Sequence, residues 1–128
     1  MMKIRNGFVT NSSSSSFIIA RRSDCDLDDI KDALRSSVSE FLECEKDVWT
    51  YDNLKEAIEG YSEMDENEKF DAVLNYFSDE IDTGSFFYKS LKVDDWNIET
   101  GESSSDGDLL DGFIYGYAEA DTENFKIK

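Results

Sequence analysis

The side chains that could do chemistry in this chain are carboxylates, with little beside them to set to work. Thirty Asp and Glu stand against 13 Lys and Arg, and there is no histidine. Without histidine there is no Ser-His-Asp or Cys-His hydrolase arrangement, no His-ligated zinc and no ordinary proton shuttle. Two cysteines cannot close a structural zinc site by themselves. Gly7 is the only glycine near the serine run, so neither a phosphate-binding loop nor a dinucleotide fingerprint is present. Paired carboxylates can do acid–base work, but thirty of them produce any given spacing by chance. Asp24-x-Asp26-x-Asp28 opens like a calcium loop, then sets Asp29 where glycine is needed and Arg35 where a bidentate Glu is needed. Helix capping accounts for these acids better. The acidic stretch around Glu102, Asp106, Asp108 and Asp111 reads as a solvated loop. The expectation is a non-enzymatic protein with no catalytic residue, no cofactor and no metal.

The serine run Ser12, Ser13, Ser14, Ser15 and Ser16 has no base near it except Lys3. A modification site suits it better than a nucleophile, because phosphates there would lie close in sequence to Arg5, Arg21 and Arg22. Phe8-Val9 before the run and Phe17-Ile18-Ile19 after it are apolar anchors. Residues 1–16 therefore read as a basic, Ser-rich segment leading into a first strand.

Hydrophobic spacing supplies the elements that must hold these groups. Phe17 to Arg22 is a strand with apolar residues on both faces, placed inside a sheet rather than at its edge. Ser23 or Asp24 caps a helix over residues 27–44, with Leu27, Ile30, Leu34, Val38, Phe41 and Leu42 at helical spacing. Trp49 and Tyr51 fall in a connector. Asp52 caps a second helix carrying Leu54, Ile58 and Tyr61, and Asp65 opens a third with Phe70, Val73, Leu74, Phe77 and Ile81, stopped by Gly84. Residues 86–93 alternate as a strand, continued by 96–100 after a kink at Asp94-Asp95. Leu109 to Ala118 reads as a further strand with Gly112 and Gly116 as bulge positions, and Phe125 with Ile127 as the last. The predicted fold class is α+β: an N-terminal strand, three helices, then a C-terminal antiparallel meander, with the helices packed on one face of the sheet.

At 128 residues this is a single domain, able to bury about two thirds of the surface its unfolded chain exposes. Nine Phe, six Tyr and two Trp supply a core where aliphatics are scarce. That aromatic content separates it from disordered acidic chains. The longest apolar run, residues 17–20, is far too short for a membrane span or a signal-peptide core, so a cytoplasmic protein with no membrane partner is expected. Cys25 and Cys44 would sit at opposite ends of the first helix, about 27 Å apart, beyond the ~7 Å reach of a disulfide.

Lys3-Ile4-Arg5-Asn6-Gly7-Phe8-Val9-Thr10-Asn11, followed by Ser12–Ser16 and Phe17-Ile18, resembles a recurring signature of small uncharacterised proteins of bacteria and their phages. In these a basic start precedes Gly-Phe-Val-[Ser/Thr]-Asn, a run of serines, then Phe and an aliphatic residue. The resemblance implies a phage or mobile-element setting inside a bacterial host cell, and assigns no activity to any residue.

The net charge of −17 exceeds the magnitude of about 2 to 8 that suffices for solubility in a small domain. All thirty acids lie after residue 22, among only nine cations, while residues 1–22 carry Lys3, Arg5, Arg21 and Arg22 and no acid. Direct nucleic-acid binding is therefore excluded for want of a positive footprint. Acids near helix starts favour the dipole, but Glu43 with Glu45, and Asp79, Glu80 and Asp82, fall near helix ends, where that benefit reverses. An acidic face of Asp28, Asp32, Glu40, Glu43, Asp71, Asp79, Glu80 and Asp82 is expected to enter a partner protein's basic, nucleic-acid-binding groove. Such a protein would act as an inhibitor and nucleic-acid mimic, in an anti-defence role. The alternative is an acidic adaptor that binds its protein partner through aromatics such as Trp49, Tyr51, Trp96 or Tyr115.

Overall fold

The computed structural model describes residues 14–84, 89–104 and 107–128. Among them the chain runs β1 (Ser14–Arg22), α1 (Leu27–Cys44), α2 (Val48–Ala57), one 3-10 turn (Tyr61–Glu63), α3 (Glu66–Thr83), β2 (Lys89–Val93), β3 (Trp96–Ser104), α4 (Leu109–Gly116), β4 (Ala120–Asp121) and β5 (Phe125–Ile127). The strands form one antiparallel sheet in the order β2-β3-β1-β5-β4. The α+β class and the interior position of the first strand are as expected. Two details differ: there are four helices rather than three, and a helix interrupts the C-terminal meander.

That fourth helix replaces the strand expected over Leu109–Ala118. Leu109, Leu110, Phe113, Ile114, Tyr117 and Ala118 are all buried, a spacing of one and four residues that fits 3.6 per turn. A strand would instead have put Asp111 on the apolar side with Phe113. Asp108 starts the helix by accepting a hydrogen bond from the Asp111 N–H at 3.0 Å. Gly112 and Gly116 have open space around them and permit the helix without shaping it.

The second helix begins at Val48 rather than after Asp52, because Asp47 caps it, accepting from the Thr50 N–H at 2.7 Å. Trp49 and Tyr51 are thus helical, and the helix ends at Ala57, before Ile58 and Tyr61. Asp26, rather than Ser23 or Asp24, caps α1 in a reciprocal box with Asp29, and Asp65 does the same for α3 with Glu68. Asp94-Asp95 is a hairpin turn and not a kink: β3 folds back on β2, with Asp94 at φ 54°. β3 then extends to Ser104, pairing with β1 back to Ser14, so Ser14, Ser15 and Ser16 belong to the sheet. Ser12 and Ser13 lie outside the described residues.

The core lies between one face of the sheet and the helices. Phe17 and Ile19 of β1 and Phe125 and Ile127 of β5 meet Ile30, Leu34, Val38 and Phe41 of α1, with Val73, Phe77 and Ile81 of α3 alongside. At its centre the Phe41 ring makes edge contacts with Phe77, Phe113 and Tyr117 at 5.3, 5.6 and 5.4 Å, while Phe77 and Phe113 stack at 4.2 Å. This aromatic joint ties α1, α3 and α4 together.

Candidate functional site

Three surfaces present groups that could work: the outer face of α1 and α3, the start of α2, and the open face of the sheet. The α1 and α3 helices pack side by side and antiparallel. The end of α3 meets the start of α1, where Asp82 holds Arg21 just before Cys25, and the start of α3 meets the end of α1, where Glu66 and Lys69 share a cleft with Leu42 and Glu45. With Ile30, Leu34, Val38 and Phe41 turned inward, the opposite side of α1 exposes Asp28, Asp32, Ser36, Ser39 and Glu43. The corresponding stripe of α3 exposes Glu68, Asp71, Asn75, Asp79 and Asp82. Carboxylates four residues apart on one helix stand about 6 Å apart along its axis.

Of the eight expected acids, Asp28, Asp32 and Glu43 are exposed on the outer side of α1, and Asp71 and Asp79 on that of α3. Glu40 is half-buried at the edge of the α1 stripe, bordering a shallow pocket with Ser36, Ser39 and Glu43. Glu80 lies on the far flank of α3, beside Tyr76 and Asp108. Asp82 already has an internal partner, for Arg21 Nη1 contacts its carboxylate at 2.8 Å and Arg21 Nη2 donates to its carbonyl. The same guanidinium reaches Glu99 of β3 at 3.3 Å. Arg21 therefore closes the C-terminal end of α3, where a cation complements the dipole. Glu45 also has a structural use, accepting the Tyr117 hydroxyl at 2.7 Å. Burial and that carboxylate together push the Tyr117 hydroxyl well above the ordinary tyrosine range.

Of the arginine partners expected for phosphorylated serines, Arg5 lies outside the described residues and the other two are elsewhere. Arg21 and Arg22 end β1, about 17 Å of strand beyond Ser16. Arg22 lies over the Trp96 ring at 4.6 Å and donates to the Glu123 carbonyl at 3.2 Å. Ser16 is exposed opposite Glu102, a repulsive neighbour for a phosphate. Arg21 ties the sheet to α3, and Arg22 ties β1 to the β2–β3 and β4–β5 turns.

At the start of α2, Val48 is 75% and Trp49 53% exposed, with Tyr51 beside them. Tyr51 borders a cleft of about 520 Å³ with Leu42, Glu45, Leu54, Tyr61 and Lys69. Its ring is flanked by Lys55 at 5.1 Å and Lys69 at 5.9 Å. Sequence reasoning assigned these aromatics to a connector; the signal that finds the helix is Asp47 three residues before Thr50. Trp96 and Tyr115, the other aromatics expected on the surface, are half-buried.

Among the described residues no three His, Cys, Asp or Glu side chains converge as a metal site, and no helix is long and apolar enough to cross a membrane. Asp26 of the calcium-like stretch and Asp108 of the later acidic stretch are helix caps. Both cysteines are free, at opposite ends of α1. Burial, then the Asp29 carboxylate, pushes the Cys25 thiol up to about 11, so at pH 8 its thiolate fraction is roughly a hundredfold below that of an ordinary thiol. An aromatic disulfide reagent at pH 8 is expected to label exposed Cys44 first and Cys25 only on unfolding. Equal labelling rates in the folded protein would contradict this. Comparison of the chain with protein-family models, with curated proteins and with solved structures gives no match.

Proposed function

We propose that this is a non-enzymatic acidic protein that occupies the basic groove of a bacterial nucleic-acid-handling protein, in the cytoplasm of a host cell, and inhibits it. The observation that carries the reading is the pair of outward stripes on α1 and α3. Asp28, Asp32 and Glu43 are exposed on α1, and Glu68, Asp71 and Asp79 on α3, the helix packed against it. A groove lined with Lys and Arg binds anions largely through charge, so fixed carboxylates can stand in for phosphates. Asp28 favours the start of α1 and Asp32 pairs with Arg35 at 3.6 Å, but Glu43 lies in the last turn of α1, where a carboxylate opposes the helix dipole and local stability does not ask for it. The resemblance of residues 3–18 to phage and bacterial proteins supports the same setting.

The test is capture from a bacterial lysate on the immobilised chain at 50 mM salt. The bound protein is expected to be a nucleic-acid binder, to elute steeply between 50 and 200 mM salt, and to be displaced by duplex or single-stranded DNA. A complex that survives excess nucleic acid sinks mimicry. A second reading, an adaptor, is favoured by the exposed Val48-Trp49 pair at the cleft. It predicts binding that ignores salt and is lost on Trp49→Ala.

A further inference from the structure

The sheet has two faces and the helices cover one. Along the other face, which no helix among the described residues covers, the cross-strand register sets side chains in three rows. The first is Lys89, Thr100, Ile18 and Lys128, the last joined through the mutual backbone bonds of Ile18 and Lys128. The second is Leu91, Ile98, Ala20 and Lys126, and the third Val93, Trp96 and Arg22. Six apolar side chains are thus contiguous on a surface where an antiparallel sheet ordinarily turns polar. Leu91 is 61%, Ile18 51% and Val93 44% exposed.

Strand β2 makes the point most clearly. All five of its residues are exposed, because β2 lies beyond the cover of the helices. Its alternation nevertheless turns Leu91 and Val93 to the open face and Ser90 and Lys92 to the helix side. A one-residue slip would reverse this, so the pattern specifies the open face as the one meant to be covered.

We infer that the open face is a two-fold interface between two copies of this chain, packed sheet to sheet. Three features point to a second copy. First, the face is self-complementary in shape. Leu91 and Val93 project at its β2 side, while its other side has a depression of about 640 Å³ in which Ile18 and Ala20 are bordered by Glu119, Asp121, Lys126 and Lys128. A two-fold axis running along the central strands brings each projection over the other copy's depression. Second, the charge fits. In a chain of net charge −17, this face carries Arg22, Lys89, Lys126 and Lys128 against Glu102, Glu119 and Asp121. It is therefore where two such chains repel least. The two-fold also carries Lys89 to the side where Glu119 and Asp121 of the other copy border the depression. Third, the size fits a weak dimer. Four strands at about 4.8 Å and three rows at about 7 Å cover roughly 400 Å² of flat face on each copy. The total of about 800 Å² is below the ~1,000 Å² of a stable interface, so the association is weak and transient. Sheets packed this way stand about 10 Å apart, and the acidic α1/α3 faces end up on the two outer sides.

Sedimentation of the full chain from 1 to 300 µM tests the proposal independently of any nucleic-acid-binding partner. A monomer–dimer equilibrium in the tens of micromolar is expected, tightening about tenfold between 50 and 500 mM salt as repulsion between the two acidic bodies is screened. Leu91→Lys is expected to leave the chain monomeric throughout, with the wild-type melting curve because Leu91 is exposed. Val93→Thr, which conserves shape and β propensity, is expected to weaken association at least fivefold. Wild-type protein that stays monomeric at 300 µM in 500 mM salt overturns the inference. So does a dimer that survives both substitutions, or one abolished by Trp49→Ala instead.

Discussion

Phe77→Ala is expected to lower the free energy of unfolding by about 3–5 kcal/mol, within the range for deleting a fully buried aromatic ring. Phe77 is wholly buried, stacks on Phe113 at 4.2 Å and meets the edge of Phe41 at 5.3 Å. It is the only ring of α3 that touches both α1 and α4 partners in this cluster, so the cavity opens at the joint of three helices. Neither the sheet nor the helix backbones can collapse into it cheaply, because Phe17, Phe113 and Phe125 are themselves fully buried around the same core. Domains of this kind hold about 5–15 kcal/mol in all, and the dense negative charge acts against compaction. The variant should therefore be close to half-unfolded in mild urea, while Leu91→Ala at an exposed site changes stability by no more than about 0.5 kcal/mol. Urea titration followed by tryptophan fluorescence measures both. A Phe77→Ala loss below 1 kcal/mol would mean the aromatic joint is not the centre of the core.

Neutralising the outer face of the helix pair separates function from fold. The combined change Asp28→Asn, Asp32→Asn, Asp71→Asn and Asp79→Asn alters four exposed carboxylates, none of which caps a helix or closes the ends as Asp26, Asp65 and Asp82 do. Stability should hold, because all four are exposed. Affinity for a basic-groove partner should fall by about 2–4 kcal/mol, roughly 30- to 1,000-fold at low salt, if each contact is worth up to about 1 kcal/mol. The slope of log affinity against log salt should flatten by up to about four, one per lost contact. Glu40→Gln with Glu80→Gln, on the two flanks, should change little. If the flank pair matters as much as the four facial acids, the partner does not read this face. Titration of the captured partner with each variant, at several salt concentrations, decides between them.

Local patterning in the chain was enough to place the first strand, α1, α3 and the last strand, because each has a strong apolar period and α3 also has its cap at Asp65. It also made plain the chemistry that histidine would have supplied and does not. The α4 helix was obscured by its two glycines and aromatic content, although its burial period of one and four was present in the letters. The start of α2 was obscured because Val48, Trp49 and Tyr51 are typical strand residues, overridden by the Asp47 cap and the burial of Leu54.

Other features belong to the tertiary structure alone. Which acids share a face depends on how α1 lies against α3, and that packing removes Glu40 and Glu80 from the set and gives Asp82 to Arg21. The arginines before the first helix are distant in sequence from α3 and β3, and only the folded chain makes them internal ties. The open, apolar face of the sheet follows from which side the helices cover. Alternation in Phe17–Arg22 shows two apolar faces but cannot say that one of them stays uncovered, because side-chain period is a local property and layer coverage is a global one.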